Sequence, residues 1–456
     1  MKYGERIETV ITRLDEKGRG LGPVLTRQAA ARYVIPGEKI AGKFVGKDKG
    51  FIKLEGIEVL EASPDRVKPE CPHFTKCGGC SFQHINAARQ SALKLDTIRQ
   101  ALKEGGIDLS VEGITSAETI FRYRNRMDYV FGRDGELGLK EPGHWDKPVD
   151  LTTCLLMSED ANRVRLIVRD WARATGLPFW DNKTYAGFFR YLVIRESSRT
   201  GERMAMLVTH TPPEGLRGAS LWNELVEKLS PYCTTIYHGI NPNVTDVSIA
   251  NELHLLHGKE RLHETVDGVT FSIHPNSFFQ TNTVMAEKLL SHVRELVMSD
   301  AHGTSLASDV PRLRLLDLYC GSGFFSLALA KDVERALGIE LDAHGIAMAK
   351  ENATANGIAN AEFRAEPAEL LSWVAEKPDV AVIDPPRSGL HPKVTMALRA
   401  GRPPRIVYVS CNPKALANDL KTLLHDYEAT SVRAFDLFPQ TPHVETVVHL
   451  KLKSTP

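Results

Sequence analysis

The chain has no excess of charge of either sign, since 57 Lys and Arg residues balance 57 Asp and Glu residues for a formal net charge of zero. A protein that coats nucleic acid by bulk electrostatics needs a strong basic excess, so this class is excluded. An enzyme with a local basic face is not excluded, because local charge does not depend on the net charge.

Long apolar runs are also lacking. No window reaches the roughly 18 apolar residues that a membrane-spanning helix needs, and the first ten residues carry charges where a signal peptide would have an apolar core. Cysteine is scarce, with seven among 456 residues, which does not indicate a disulfide framework of the secreted kind. We therefore expect a cytoplasmic protein with no membrane partner, and the sequence indicates no obligate protein partner.

The length predicts about three domains, at roughly 100–200 residues each. Residues 1–66 show short alternating stretches between Gly-rich turns, which predicts a small OB-like β-barrel. Its predicted strands begin at Ile7, Tyr33, Ile40 and Phe51, with the glycines at 18, 20 and 22 breaking the first strand. Such barrels often bind oligonucleotides; a solvated face on a structural barrel is the alternative. The candidate RNA-binding side chains are Lys43, Phe44, Lys47, Lys49, Phe51 and Lys53.

Residues 67–270 mix strand and helix patterns, which predicts a central α+β domain. Residues 85–104 form an amphipathic helix pattern ended by Gly105 and Gly106, and this helix is a candidate for packing on the C-terminal domain. Two runs at 191–195 and 204–208 predict a hairpin. Residues 121–126 interleave basic and aromatic side chains, which suits RNA binding; a strand with one charged, solvent-facing side is the alternative.

Residues 271–456 alternate strand and helix patterns, which predicts a Rossmann-like α/β domain with a doubly wound parallel sheet. Helix 325–331 separates the first two strands. The predicted strands span residues 313–318, 336–339, 361–364, 380–383 and 406–409.

A glycine loop follows the first of these strands. Gly321 and Gly323 permit close approach of the backbone to a ligand, and Glu340 ends the next strand, where a carboxylate can bind both ribose hydroxyls. A dinucleotide enzyme would want a third glycine at Ser326. It would also lack Asp317, which repels a pyrophosphate but suits a cationic sulfonium and its amino group. The pattern therefore favours S-adenosylmethionine.

Two further strand ends carry reactive groups, Asp384-Pro-Pro-Arg387 and Ser410-Cys411-Asn-Pro, and an acidic residue, Glu445, lies downstream in a His-Val-Glu sequence. Methylation of uracil carbon 5 needs a thiolate that adds at carbon 6 and a base that removes the carbon 5 proton. Cys411 and Glu445 fit these roles, and Asp384 would orient the uracil edge. The target base must leave its stack to reach the cysteine.

Several alternatives compete with this interpretation. Cys411 could be a buried structural thiol, but it stands at a strand end before Asn-Pro. Enzymes that methylate exocyclic amines follow Asp/Asn-Pro-Pro with an aromatic residue, where this chain has Arg387, and RNA cytosine-5 enzymes carry a cysteine inside that motif. A non-catalytic RNA-binding protein would have no use for a nucleophile paired with a base.

Three cysteines lie within ten residues, Cys71, Cys77 and Cys80, and Cys154 is the natural fourth. Four thiolates suit zinc or a [4Fe-4S] cluster. Zinc sites more often use two Cys-x2-Cys pairs, which are absent here. Unliganded buried cysteines fit poorly with so polar a loop.

Over nearly its whole length the chain resembles the RNA (uracil-5-)-methyltransferases, in particular the type that modifies 23S ribosomal RNA and carries an iron–sulfur cluster. The resemblance rests on the Ser-Cys-Asn-Pro, His-Val-Glu and Pro-Asn-Ser-Phe-Phe-Gln-Thr-Asn sequences, the last of which follows His274 where the family has Asn. It implies an N-terminal TRAM module that binds RNA, 23S ribosomal RNA as the expected target, and tRNA uridine 54 as the alternative.

The resemblance also implies site residues. Cys411 is then the nucleophile and Glu445 the proton acceptor, and a [4Fe-4S] cluster is held by Cys71, Cys77, Cys80 and Cys154. Phe324 stands where relatives often have Asn, and Glu366 is a weaker candidate near the adenine. The cofactor-binding residues expected from pattern and resemblance together are Gln280, Asp317, Tyr319, Gly321, Gly323, Phe324, Glu340, Glu366 and Asp384.

Overall fold

The computed structural model describes residues 1–212, 220–299 and 313–454, and three large β-sheets follow one another along this part of the chain. The first sheet has the strand order β1-β5-β6-β4-β3-β2. It curls on itself, since the Thr9 hydroxyl donates to the Pro23 carbonyl (2.9 Å) across the gap between β1 and β3. Its strands are β1 (Arg6–Val10), β2 (Arg13–Leu14), β3 (Gly20–Val24), β4 (Arg27–Ala31), β5 (Lys39–Asp48) and β6 (Phe51–Glu61).

Two details of this barrel differ from the prediction. The strand predicted from Tyr33 is wrong: Tyr33 has a φ of 61°, outside the extended region, and the strand is β4, a run ending in three alanines. Of the three glycines predicted to interrupt the chain, Gly20 and Gly22 lie inside β3, whereas Gly18 lies in the turn before it with a φ of 73°. A side chain at Gly20 would have its Cβ 2.3 Å from Val34, so glycine here permits close packing of the barrel interior.

The central sheet has the order β13-β12-β11-β10-β8-β9. The predicted hairpin is confirmed as β10 and β11, which pair in antiparallel fashion. One face carries α2 and α3 with Trp171 and Trp222, and the other packs against the C-terminal domain. The elements of this region are α1 (Ala87–Glu104), β7 (Gly113–Thr115), β8 (Arg126–Phe131), β9 (Leu137–Gly138), α2 (Glu159–Ala174), β10 (Phe189–Glu196), β11 (Arg203–Thr209), α3 (Ser220–Leu229), β12 (Thr235–Ile240), β13 (Glu252–Gly258), β14 (Leu262–Val266) and β15 (Val269–Ile273).

The C-terminal sheet has the order β18-β17-β16-β19-β20-β22-β21-β7, with β16 to β20 parallel and β22 antiparallel. The predicted doubly wound sheet is therefore confirmed. Its elements are α4 (Thr283–Met298), β16 (Arg314–Leu318), α5 (Phe324–Leu329), β17 (Arg335–Glu340), α6 (Ala343–Ala355), β18 (Ala361–Ala365), β19 (Val380–Ile383), α7 (Pro392–Gly401), β20 (Arg405–Ser410), α8 (Pro413–Leu423), β21 (Tyr427–Phe435) and β22 (Glu445–Leu452).

Both faces of this sheet are covered, which explains its continuous apolar strands. Alternating residues of β16 divide between two cores: Leu315 faces α4, α5 and α6, and Leu316 faces α7 and α8. Helix α1, capped by Asn86, packs on the second face through Ile98 and Leu102, and β7 extends the sheet edge beside β21. Residues 87–115 thus belong structurally to the C-terminal sheet. No helix in the described residues is both long and apolar enough to cross a membrane.

Candidate active site

The site forms at the carboxyl edge of the C-terminal sheet, where the strand order changes direction. Strands β17 and β18 lie to one side of β16, and β19 and β20 lie to the other. Ligands of open α/β sheets bind in the crevice at such a point. The residues that end or follow β16, β17, β19 and β20 are Tyr319, Glu340, Asp384 and Cys411.

The glycine loop after β16 is held against the end of β17. The backbone N–H of Gly321 donates to the Glu340 carboxylate (3.2 Å), which also accepts from the backbone of Asp342 (2.9 Å). Gly323 has a φ of 86° directly before α5, a conformation that favours glycine. The loop and the carboxylate therefore form one unit at the end of two neighbouring strands.

Asp317 lies beneath this loop and is fully buried. Its Oδ2 accepts from the backbone N–H (2.9 Å) and hydroxyl (2.5 Å) of Ser326, while Oδ1 has no hydrogen-bond partner among the described residues. Burial raises the pKa of Asp317 to about 7. A buried acceptor without a partner is costly, so a cationic or N–H-bearing ligand group would stabilise Asp317 as the carboxylate. These residues fit the amino acid and sulfonium part of S-adenosylmethionine.

The other expected cofactor residues lie around the same edge with different degrees of access. Phe324 turns its ring into the core beside Phe271 (5.9 Å between centroids), so only its backbone can reach a ligand. Glu366 accepts from the hydroxyl of Ser372, and its N–H donates to the Glu340 carbonyl (2.9 Å). The Gln280 carbonyl accepts from the Asn125 side chain (2.7 Å), which fixes the segment that carries the Gln280 amide.

Cys411 and Glu445 stand side by side. Cys411 follows Ser410, and Ser410 pairs with Thr446, the residue after Glu445, in the antiparallel ladder of β20 and β22. Burial raises the pKa of Glu445 to about 8, and the nearby Asp384 adds to this shift. Burial and the two carboxylates raise the pKa of Cys411 to about 11. Removal from water raises the pKa of Asp384 to about 7.

Arg387 also lies beside this cluster. In the sequence it only distinguished the chain from enzymes that methylate exocyclic amines. Its guanidinium donates to Nδ1 of His443 (3.0 Å), and its carbonyl accepts from the Asn412 side chain (2.7 Å). The Arg387 charge lowers the pKa of both Cys411 and Glu445, although burial outweighs it in each case. Arg387 is thus a cation whose charge acts on both the thiol and the acid of this cluster.

A cleft of about 1190 Å³ opens onto Cys411. It is lined by all three parts of the chain, and six Lys or Arg side chains but only two carboxylates face it. Phe278, which is 69% exposed, presents an aromatic ring in the same cleft. The basic residues are Lys17, Arg32, Arg124, Arg126, Lys140 and Arg387.

The barrel faces this cleft with residues other than those predicted. Lys17, Arg32 and Tyr33 line it, and none of the lysines at 43, 47, 49 and 53 does. The predicted lysines therefore lie away from this cleft, and their role in RNA binding stays a prediction. From the 121–126 segment, Arg124 and Arg126 line the cleft.

The four clustered cysteines surround one small cavity between the 71–80 loop and the start of α2: Cys71, Cys77, Cys80 and Cys154. Burial, with a smaller contribution from charge on the neighbouring thiols, raises the pKa of Cys77 to about 11 and of Cys80 to about 12. A cationic centre would offset both effects. No three His, Cys, Asp or Glu side chains in the described ranges converge as a ready-made single-ion site.

Comparisons with known proteins agree with this architecture. Residues 256–453 match the family model described as tRNA (uracil-5-)-methyltransferase. An RNA methyltransferase of Caldanaerobacter subterraneus subsp. tengcongensis is 36% identical, over 98% of this chain and 99% of its own. One from Nanoarchaeum equitans is 35% identical, over 97% and 92%. The crystal structure of the Pyrococcus abyssi tRNA (uracil-54, C5)-methyltransferase in complex with S-adenosyl-L-homocysteine matches with a TM-score of 0.79 and 31% identity, over 97% of this chain and 99% of that one.

The doubly wound sheet, with a glycine loop and strand-end carboxylates at its switch point, defines a Rossmann-like methyltransferase that uses S-adenosylmethionine. Within that class, the chain belongs to the RNA (uracil-5-)-methyltransferase family. The predicted fold class, enzyme class and methyl donor are thereby confirmed.

Proposed function

We propose that this enzyme methylates uridine through a covalent intermediate, with Cys411 as the nucleophile and Glu445 as the base. The observation that carries the proposal is the ladder between β20 and β22, in which the residues beside Cys411 and Glu445 pair directly. A thiol that lines a basic cleft, with a buried acid next to it, matches what substitution at carbon 5 requires.

The first step is addition. Carbon 5 of uracil is a weak nucleophile, and the Cys411 thiolate adding at carbon 6 moves electron density onto carbon 5 and oxygen 4. Asp384, at the adjoining strand end, is proposed to accept the N3–H of uracil and so to orient the ring. Cytosine has no proton at N3, which gives this contact a role in base selection.

The second step is methyl transfer, in which carbon 5 forms a bond to the methyl group and S-adenosylhomocysteine leaves. S-adenosylmethionine is a substrate here, since its methyl group is consumed. Glu340 is proposed to bind the ribose, and Asp317 the cationic amino acid part. The full proposed set is Gln280, Asp317, Tyr319, Gly321, Gly323, the backbone of Phe324, Glu340, Glu366 and Asp384.

The third step is elimination. The Glu445 carboxylate removes the proton from carbon 5, the electron pair re-forms the bond between carbons 5 and 6, and the Cys411 thiolate leaves. In the unliganded enzyme Glu445 has a pKa raised to about 8, which makes its carboxylate a stronger base than an ordinary glutamate. Catalytic turnover thus depends on both side chains.

The test is release of tritium from RNA labelled at carbon 5 of uracil, with S-adenosylmethionine added. Wild type should release tritium, and Cys411→Ala should release none. Cys233→Ala is the matched control, because Cys233 is a buried cysteine that lies outside both the proposed active site and the proposed cluster site; it should fold and keep activity. Full release by Cys411→Ala would exclude covalent catalysis through this residue.

For the RNA target, sequence resemblance supports 23S ribosomal RNA, and the matched Pyrococcus protein, named for tRNA uracil-54, supports tRNA. Because that tRNA enzyme matches 97% of this chain, the presence of the N-terminal barrel does not favour ribosomal RNA by itself. We retain 23S ribosomal RNA as the first proposal. Parallel assays on unmodified 23S ribosomal RNA and on a tRNA transcript decide it, and a product confined to tRNA uridine 54 would reject the ribosomal target.

We also propose three working parts: residues 1–66 as a TRAM-like RNA-binding barrel, 67–270 as the central domain, and 271–456 as the catalytic domain. Residues 87–115 of the central part pack on the catalytic sheet. In the central part we propose a [4Fe-4S] cluster held by Cys71, Cys77, Cys80 and Cys154, supported by the one cavity that all four line. Four irons and four sulfides per chain after anaerobic purification, lost in Cys154→Ser but not in Cys233→Ser, is the expected result. A result of one zinc per chain and no sulfide would show that the four cysteines hold zinc, and it would reject the cluster.

A further inference from the structure

The segment between β21 and β22, residues 436–444, delivers Glu445 to the site, and we call it the base loop. Four successive carbonyls of this loop accept hydrogen bonds from other parts of the chain. The side chains of Asn282, Lys94 and Tyr123 donate to the carbonyls of residues 437, 438 and 439, each at 3.0 Å. Each residue from 437 to 440 in the base loop is therefore held by a hydrogen bond from another part of the chain.

The fourth carbonyl belongs to Gln440, which is 3% exposed. It accepts from the backbone N–H groups of Ser81 (2.9 Å) and Phe82 (3.0 Å), directly after Cys80. Gln90 of helix α1 binds Gln440 reciprocally: its Nε2 donates to the Gln440 side-chain oxygen and its Oε1 accepts from the Gln440 backbone N–H, both at 3.0 Å. Gln90 also donates to the carbonyls of Phe82 (3.2 Å) and Ile85 (2.9 Å).

Lys94, one turn further along α1, fixes the beginning of the loop. Its ammonium donates to Asp436 (2.5 Å), and the Lys94 side chain is fully buried in this pair. A buried ammonium needs an ionic partner and further acceptors, and here the loop supplies both, Asp436 and the Phe438 carbonyl. Helix α1 lies outside residues 256–453, the region that the family model matches.

Cys411 is supported differently. Its loop is fixed by its own neighbours, since Asn412 accepts from the N–H of Lys414 (3.1 Å) as the cap of α8 and donates its own N–H to the Ser410 hydroxyl (3.2 Å). None of these bonds involves α1 or Gln440. The Asn412 side chain also donates to the Arg387 carbonyl (2.7 Å), and Arg387 donates to His443 of the base loop (3.0 Å), so the two loops share one indirect link. A change at Gln90 therefore removes hydrogen bonds of the base loop and none of the Cys411 loop.

We propose that Gln90 and Lys94 are positioning residues for the elimination step: helix α1, bonded to the base loop, sets the Glu445 carboxylate against the carbon 5 proton. The inference rests on the proposed roles of Cys411 and Glu445. When the base loop is loosened, addition and methyl transfer proceed, the carbon 5 proton stays, and the bond between the cysteine sulfur and carbon 6 does not break. The methylated RNA then accumulates as a covalent adduct of the enzyme.

The experiment is a single turnover of the full-length enzyme with unmodified target RNA and methyl-labelled S-adenosylmethionine, followed by denaturing electrophoresis. Gln90→Met keeps the side-chain length but loses every hydrogen bond. The fraction of label in the adduct should rise by about tenfold or more, since a misplacement of about 1 Å can slow a catalytic step on the order of 10²-fold. Gln100→Met is the matched control: it is the same substitution on the same helix, at a residue bonded to Glu104 (2.8 Å) instead of the loop. It should behave as wild type.

Two further variants make each outcome decisive. Tyr123→Phe removes the one hydroxyl that donates to the Pro439 carbonyl, so it should raise the adduct fraction less than Gln90→Met does. If Gln90→Met does not fold, Tyr123→Phe tests the inference in its place. Glu445→Gln should give nearly all label in the adduct. If it gives none, the proposed role of Glu445 fails. The other outcome is that Glu445→Gln traps the adduct while folded Gln90→Met and Tyr123→Phe match wild type. The positioning role of helix α1 then fails, and the proposed roles of Cys411 and Glu445 stand. A rise with Gln100→Met would also overturn the inference.

Discussion

Glu445 and Asp384 have pKa values of about 8 and 7, far above those of exposed carboxyls, because both are removed from water and lie near another acid. Cys411 lies beside them with a pKa of about 11. Perturbed groups of this kind cluster at functional sites. Before substrate binds, the proposed nucleophile and the proposed base therefore both hold protons at neutral pH.

The activity should rise with pH. Elimination requires the Glu445 carboxylate, which forms as the pH passes through about 8, and addition requires the Cys411 thiolate, which forms toward about 11. Since both groups act in their deprotonated forms, kcat/KM for tritium release should increase from pH 6 to pH 9 with no falling limb from these residues, about tenfold per unit where one group limits. The measurement is the initial rate at subsaturating RNA across this range.

A change at Glu445 provides the control for that profile. In Glu445→Gln the negative charge that raises the pKa of Cys411 is gone, so the rate of adduct formation should reach its plateau at a lower pH than the same single-turnover step in wild type. A bell-shaped wild-type profile with its maximum below pH 7 would show that one of these groups acts in its protonated form, contrary to the mechanism.

At the scale of elements, the C-terminal sheet follows from local pattern. The strand at 380–383 is found where it was predicted, and the strand at 406–409 is found as Arg405–Ser410. Buried parallel strands are continuous apolar runs between loops, which a sequence displays directly. Helix α1 was predicted from its amphipathic period, which is also a local pattern, and it is found at Ala87–Glu104.

The barrel shows where local pattern is insufficient. Strands β3 and β4 are built from glycine and alanine, residues with weak strand preference, and their conformation comes from the packing of the whole barrel. The same limit applies to the partners of α1. An apolar face at helical spacing indicates that the helix is buried, but Lys94 and Gln90 interrupt that face, and their partners are more than 300 residues away.

Gly22 tests this account of the barrel. An added Cβ would lie 2.6 Å from the Val10 carbonyl and 2.5 Å from the Thr9 hydroxyl, so the strands would have to separate. Gly22→Ala should destabilise the protein by about 1–3 kcal/mol in urea unfolding. Gly18→Ala is not a suitable control, because its φ is 73°. Arg27→Gly, at an exposed position of the adjacent strand β4, lowers strand propensity without a clash and should lose only about 0.5–1 kcal/mol. Equal losses would contradict the steric explanation.

At the scale of the molecule, the site depends on contacts that no local pattern contains. The cleft combines barrel residues near position 17, the cysteine loop, the 124–142 segment, and the strand ends near 387 and 411. Cys80 lines both this cleft and the cysteine cavity, so the proposed cluster site and the cleft share a wall. The chemistry of each residue could be predicted from sequence, but the surface that RNA would contact could not.

The orientation of the barrel gives the last prediction. Lys17 and Arg32 are exposed on the barrel and face the cleft, whereas Lys43 and Lys47 are exposed on the same barrel away from it. Lys17→Ala/Arg32→Ala and Lys43→Ala/Lys47→Ala remove the same charge, so bulk electrostatics changes equally in both. If RNA follows the cleft, only the first pair should weaken RNA binding and lower the slope of log Kd against log salt, by about 1–2 for two lost phosphate contacts. Filter binding in 50–200 mM salt measures this slope. A change confined to the second pair would show that RNA crosses the face indicated by the lysine pattern, and that the barrel turns toward the catalytic domain with its non-binding side.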